Sequence, residues 1–464
     1  MAANPTWSSR RVNEVKIPSA RAWALLGAAT YTVVFHGAYV MVIAPTFAYD
    51  GSFYAPVSPM ELWVAGAAAT LPSLWLPSHI ARPSQVALWL MYLVGYVPGS
   101  LVMYYVQQRD LSELWPFTVA LLAGMTILGV MDRLPRASWV VPYKSTISSF
   151  SSFVVITALL TIGYIALTVG ISFDLPDVSA VYDTRASFGD AVSDTGALLV
   201  YVVAWSANVV GPLLIALSLR RRRPALLVLG VFLELVIYGI TGFKTALFST
   251  VLVVGLVGLL WARPRPSAAW LAWVTAALVV AVSVFDRLNG SIVATSIFVR
   301  RVLEVPALVT SRYFEFFGDN PTYSLAHSFL RTWVSPPSQL SPPELIGSVY
   351  FGSTIWANGG LWADGFANFG FAGMLLFATI LGGIFWLLDV VADRTDLAIT
   401  GSVVGVLGVI MTNTALFTTL LTHGLGLAIV AFALLPRHEG VKVALPVERG
   451  VRSCPAADRS TPPM

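Results

Sequence analysis

Lys244 stands alone in a tight turn, Thr241-Gly-Phe-Lys-Thr245, between two apolar runs. Arg287, Arg300, Arg301, Arg312 and Arg331 follow in the long polar interval that comes later. Such cations bind anions: arginine offers a planar fork that grips phosphate or carboxylate bidentately, and lysine offers a point charge. Local partners could also absorb them. Glu304 lies at i+4 from Arg300 and Glu315 at i+3 from Arg312, both suited to helix-surface pairs. Arg301 points about 100° around the helix from Arg300, so both cannot face Glu304. Lys244 could instead snorkel to headgroup phosphate. Glu234 lies within an apolar run, where a carboxylate must face a polar cavity, be protonated or pair inside the bundle. In a transporter it would be the proton-coupling group. His36 and His423 fall in apolar runs too and read as hydrogen-bonded packing residues. The five histidines lack ligand spacing and the single cysteine is Cys454, so neither a metal site nor a disulfide is expected.

The elements that must hold these residues are membrane helices. Hydrophobic content of 56%, charged content of 11% and a mean hydropathy of +0.75 leave too little polar surface for a soluble fold of 464 residues. A spanning helix needs roughly 20 apolar residues. Runs of that kind fall at 22–44, 60–77, 86–106, 114–131, 148–171, 195–219, 224–241, 245–261, 268–285, 365–388, 397–414 and 418–435. The last two share one apolar stretch with a turn near Asn413. The class is therefore all-α: a polytopic bundle of about twelve transmembrane helices, residues 22–435, with one large loop at 286–362. Within that loop 291–317 reads as a helix interrupted by Pro306. Ser335–Pro343, with four prolines, cannot be regular, and Tyr350–Phe369 re-enters the membrane. Its many aromatic residues, among them Trp333, Trp356 and Trp362, need packing, a membrane interface or a ligand to stack on.

Basic residues fix the orientation, since cytoplasmic loops collect them. With both termini inside, 20 of the 28 Lys and Arg are cytoplasmic, including the run Arg220–Arg223, and about 15 of the 24 acids lie outside. The first apolar run is long enough to span and reads as a retained helix. Residues 1–21 and 436–464 are cytoplasmic tails, the latter polar, Pro-containing and expected to be disordered. The net charge of +4 is this bias and not a nucleic-acid footprint.

The chain resembles the oligosaccharide repeat-unit polymerases of bacterial envelope synthesis, the O-antigen polymerase or Wzy-type family, over roughly residues 200–400. Three pieces carry the resemblance: the turn Gly239-Ile-Thr-Gly-Phe-Lys244; Arg300-Arg301 followed by Pro306 and Arg312-Tyr-Phe-Glu-Phe-Phe317; and Asp364-Gly-Phe-x-Asn-Phe-Gly-x-x-Gly373. The family often carries arginine at the turn position, where this chain has Lys244.

The resemblance implies a GT-C-like glycosyltransferase of the bacterial cytoplasmic membrane. It would join polyprenyl-diphosphate-linked oligosaccharides on the exterior face without a cofactor, with a flippase and a chain-length regulator as partners. Lys244, Arg287, Arg300, Arg301 and Arg312 would bind the diphosphate leaving group, where cations stabilise developing charge. Asn368, Trp356 and Trp362 would contact the glycan. A diphosphate leaves without a general acid, so only a base is required; Asp364, Glu315 and His327 are its candidates. The alternatives are a secondary transporter or flippase, disfavoured by the absence of an internal repeat, and the related polysaccharide ligase.

Overall fold

A computed structural model of the chain describes residues 19–137, 145–171, 181–263, 265–352 and 355–437. The expected tails, the disorder expected at 436–464 and Cys454 fall almost wholly outside these residues. Regular structure among them is helical, apart from a single bridge between His79 and Ser267. In chain order the helices are α1 (Ala20–Asp50), α2 (Pro59–Thr70), α3 (Pro83–Val106), α4 (Leu111–Met131), α5 (Ile147–Thr168), α6 (Val181–Thr195), α7 (Ala197–Arg221) and α8 (Pro224–Thr241). Then follow α9 (Thr245–Ala262), α10 (Ala269–Asn289), α11 (293–319), α12 (342–351), α13 (Leu361–Val391), α14 (Leu397–Ile410) and α15 (Leu416–Leu434).

Ten of these are long and apolar enough to cross a membrane: α1, α3, α4, α5, α7 to α10, α13 and α15. The chain is thus a multi-pass helical membrane protein. Two expected spans are shorter. Residues 60–77 form only the 12-residue α2 and a 3-10 turn, Leu71–Leu74. Pro72 has no N–H to bond back to Ala68. The Ala68 and Ala69 carbonyls at this end accept instead from the hydroxyls of Tyr96 and Tyr92 on α3, at 3.0 and 2.7 Å. The other short element is the 14-residue α14; its end at Ile410 and the start of α15 at Leu416 bracket Asn413.

Four prolines inside helices follow one pattern, whereas Pro116 sits near the start of α4 without a π-turn before it. Wide π-turns at Tyr39–Ile43, Tyr92–Tyr96, Ser206–Val210 and Ser296–Glu304 each end two residues before a proline: Pro45, Pro98, Pro212 and Pro306. A proline ring clashes with the carbonyl four residues back, and the wider turn displaces it. Pro306 therefore does not interrupt α11, which runs on to Asp319.

The α3 helix is the hub, buried along nearly its whole length, with α14 against its first half and α11 against its last. Around it α1 packs on α10, α13 on α4, and α7 on α8. On α5, α9 and α10 apolar side chains such as Leu160, Val251 and Phe285 point outward, as lipid-facing positions do. The α3 helix also defines two ends. At its start Ser84 donates to Asp389 at 2.7 Å, near the pairs Arg136–Asp393 and Arg220–Asp396. Beyond its other end Gln107 donates to Ser311 of the large loop.

Candidate functional site

The α13 helix is broken. Phe369 and Gly370 leave helical backbone, with φ of −144° and +61°, a positive value that glycine tolerates. The break turns Leu361–Asn368 back so that Gly365 meets Gly373; a Cβ on Gly373 would lie 1.9 Å from the Gly365 oxygen. The carbonyls of Ala367 and Asn368 at the break accept from the amides of Tyr323 and Ser324 at 2.9 and 3.0 Å. The Asn368 side chain accepts from Leu325 N at 2.7 Å. The Gly- and Asn-rich motif opening α13 is thus a turn built to receive the 323–325 loop.

Above the break lies a cavity of about 320 Å³. Four residues of the sequence reading line it, Asp364, Asn368, His327 and Trp356, together with Tyr313, Tyr323 and His423. Asp364 is held on both oxygens: Leu416 N donates to Oδ2 at 3.0 Å and Asn368 Nδ2 to Oδ1 at 3.0 Å. It therefore ties α13 to the start of α15 while facing the cavity. Tyr313 and Tyr323 are anchored by hydroxyl bonds to Ala357 and Leu340, leaving their rings as walls. His327 Nε2 donates to the Ser338 carbonyl at 3.0 Å, and Trp356 stands 64% exposed at the rim. Trp362 does not line the cavity: it is buried against Gly124 of α4.

Two arginines of α11, Arg300 and Arg312, form a second cluster against the 47–53 segment. Arg300 pairs with Asp50, and not with Glu304 at i+4 as the spacing suggested, and lies 4.4 Å over the Phe47 ring. Burial and the adjacent Arg301 charge pull its guanidinium below its ordinary range. Glu304 is fully buried; Ser52 donates to its Oε1 at 2.8 Å, and Oε2 has no partner among the described residues. Burial raises the Glu304 carboxyl to about 7, opposed by the Ser52 hydrogen bond and by Arg300 and Arg301. Arg312 donates to Glu315 at 2.6 Å, its local partner at i+3, and lies 5.2 Å over the Tyr350 ring. Gln107 also donates to Glu315, at 3.1 Å. Burial, then the Glu315 charge, pushes the Tyr350 hydroxyl up to about 12. Glu315 is thus engaged in this cluster and does not line the cavity. The two places are joined through α11, since Tyr313 lines one and Arg312 the other, and through α12, whose start lines the cavity while its Tyr350 meets Arg312.

The other cations lie apart. Arg301 and Arg287 are exposed, and Lys244 is half-buried at the start of α9; none forms an ion pair with a described residue. The Lys244 turn is covered by α6, where Arg185 lies 5.4 Å over the Phe243 ring. Glu234, deep in α8, packs on Gly211, where a Cβ would come within 2.0 Å of Oε1, and neither carboxylate oxygen has a partner among the described residues. His36 bonds the Tyr105 hydroxyl at 2.8 Å.

Sequence reasoning missed Asp50 and Ser52 as partners of α11, because the pairing spans 250 residues. It also missed His423 as a cavity residue; the weak signal was the His423-Gly424 pair inside the last apolar run. No protein-family model, curated protein or solved structure matches the chain.

Proposed function

We propose that the chain is a membrane glycosyltransferase that joins lipid-diphosphate-linked oligosaccharide units at the face of the membrane bearing the large loop. The observation that carries this reading is the cavity above the broken α13. It combines a carboxylate, Asp364, with the aromatic walls Tyr313, Tyr323 and Trp356, the combination a hydroxyl-rich ring requires, beside a helix bearing Arg300, Arg301 and Arg312. Asp364 would accept the proton of the attacking hydroxyl. Arg301, the exposed arginine of α11, would face the lipid diphosphate.

On this reading the bundle is GT-C-like with twelve passes, α2 and α14 being the short ones. The termini are cytoplasmic and the large loop is exterior to a bacterial cytoplasmic membrane. The ionic belt of Arg82, Arg136 and Arg220 with Asp389, Asp393 and Asp396 supports the orientation, since these basic residues gather at the end away from the loop.

Glu234 favours a second reading, a carrier of the same lipid-linked glycan, because a buried carboxylate inside a span whose oxygens have no partner among the described residues is the kind of group that couples transport to protons. Deleting the gene separates the two. The polymerase reading expects lost polymer and single lipid-linked units that an impermeant glycosidase can reach at the outer face. Units that stay protected on the cytoplasmic face would favour the carrier and refute the transferase.

A further inference from the structure

His423 sits at a break in α15. The helix stops at Leu421 and resumes at Leu425, with Gly424 in left-handed backbone at φ +96° and packed so closely on Val209 that a Cβ would lie 2.8 Å from Cγ2. The break is built: Trp205 Nε1 donates to the freed Leu421 carbonyl at 2.8 Å. On α7 the π-turn Ser206–Val210 places Asn208 beside it. Irregular backbone within a membrane bundle persists where it is buried in protein or lines a cavity, and here it puts His423 into the wall of the one that holds Asp364.

Asn208 fixes the state of this imidazole. Its Nδ2 donates to the His423 carbonyl at 3.2 Å, an arrangement that the flipped amide would turn into an oxygen–oxygen repulsion. The same Nδ2 lies 3.3 Å from His423 Nδ1. An amide nitrogen only donates, so Nδ1 must be the unprotonated acceptor and the ring proton sits on Nε2. We infer that His423 is a substrate-binding residue: a neutral imidazole, held by Asn208, whose Nε2–H donates to a sugar oxygen in the cavity where Asp364 accepts from a sugar hydroxyl. The substrate contact rests on the glycan reading above; the protonation state does not. A donor and an acceptor set among aromatic walls suit a hydroxyl, which both gives and takes a hydrogen bond.

The test has two arms on the full chain in nanodiscs. In the first, histidines are labelled with ¹⁵N and the His423 signals assigned by their loss in His423→Gln. At pH 7.5 the expected pattern is protonated Nε2 and bare Nδ1, with loss of that preference in Asn208→Leu. Protonated Nδ1 in the wild type would overturn the inference whatever the protein's activity. The second arm measures extension of polyprenyl-diphosphate oligosaccharide extracted from the source cell's own membranes. His423→Phe keeps the ring and removes the donor, and should raise KM about tenfold, the effect of one lost hydrogen bond. His423→Gln, whose amide reaches the Nε2 position, should recover most of that loss. Equal KM for the two variants assigns His423 to packing and overturns the contact. A wild type that does not extend the glycan refutes the contact together with the reading beneath it, while the first arm still decides the protonation state.

Discussion

Glu304 makes the stability of the α11 cluster depend on pH in a direction opposite to that of an ordinary salt-bridged acid. It is fully buried, one oxygen accepts from Ser52, and burial lifts its carboxyl from 4.5 to about 7. The folded-state value lies above the unfolded one. Its contribution is therefore fully present below about pH 4.5 and is lost as pH rises through about 7. At high pH this amounts to about 3 kcal/mol, most of it lost between pH 5 and 8. At roughly 2.1 cal/mol/K per residue, a chain of 464 residues shifts its Tm by about 1 °C per kcal/mol. Glu304→Gln keeps an acceptor for Ser52 and removes the titration. Thermal unfolding of both proteins in one detergent, followed by tryptophan fluorescence from pH 5 to 8, isolates the effect in the difference between them. That difference should move in favour of the variant by about 2 to 3 °C as pH rises. A difference constant across the range would refute the claim that this carboxyl is held neutral by burial.

Gly373→Val should destabilise the protein by about 1 to 3 kcal/mol or more through overpacking, because its Cβ meets the Gly365 oxygen; Gly383→Ala, on the same helix with open space around it, should not, and equal melting of the two would mean that the break in α13 is not as described. Arg301→Ala should abolish polymer at near-normal protein level in the membrane; full-length polymer from this variant would rule out a diphosphate role for the exposed arginine of α11. Arg312→Ala should instead lower stability, since it frees Glu315 and uncovers Tyr350, and a variant as stable as wild type would show that the pair contributes nothing. In a Cys454→Ala background, an impermeant thiol reagent should label a cysteine at position 331 from outside and spare one at 221; the reverse would invert the topology.

The helical spans were legible because apolar runs between polar breaks are set by the bilayer, and most observed ends lie within a few residues of those read from the chain. Pro306 was misleading. A proline in an apolar pattern reads as an interruption, and only the structure shows the π-turn before it that lets the helix continue. The short α2 was equally hidden, since hydropathy cannot reveal that tyrosines of α3 take up the carbonyls at its end. Of the site, the Asp364–Gly373 motif was visible as unusual chemistry, and its glycines prove to be the contact points of a folded-back helix. What the sequence could not pair were residues far apart: Arg300 with Asp50, and His423 with Asn208. Those contacts depend on which faces two helices present to each other, which no single apolar run encodes.

Glycosyl transfer is decided by a reaction with two components. Purified chain in nanodiscs receives only the native polyprenyl-diphosphate oligosaccharide, with no nucleotide sugar and no ion gradient. The products should form a ladder spaced by one repeat unit, with one polyprenyl diphosphate released per bond formed. Asp364→Asn should bind the substrate and extend it at least about a hundredfold more slowly, the usual share of a general base. Unchanged glycan length in the wild type, with intact substrate crossing sealed vesicles in a gradient-dependent way, would show a carrier and not a transferase.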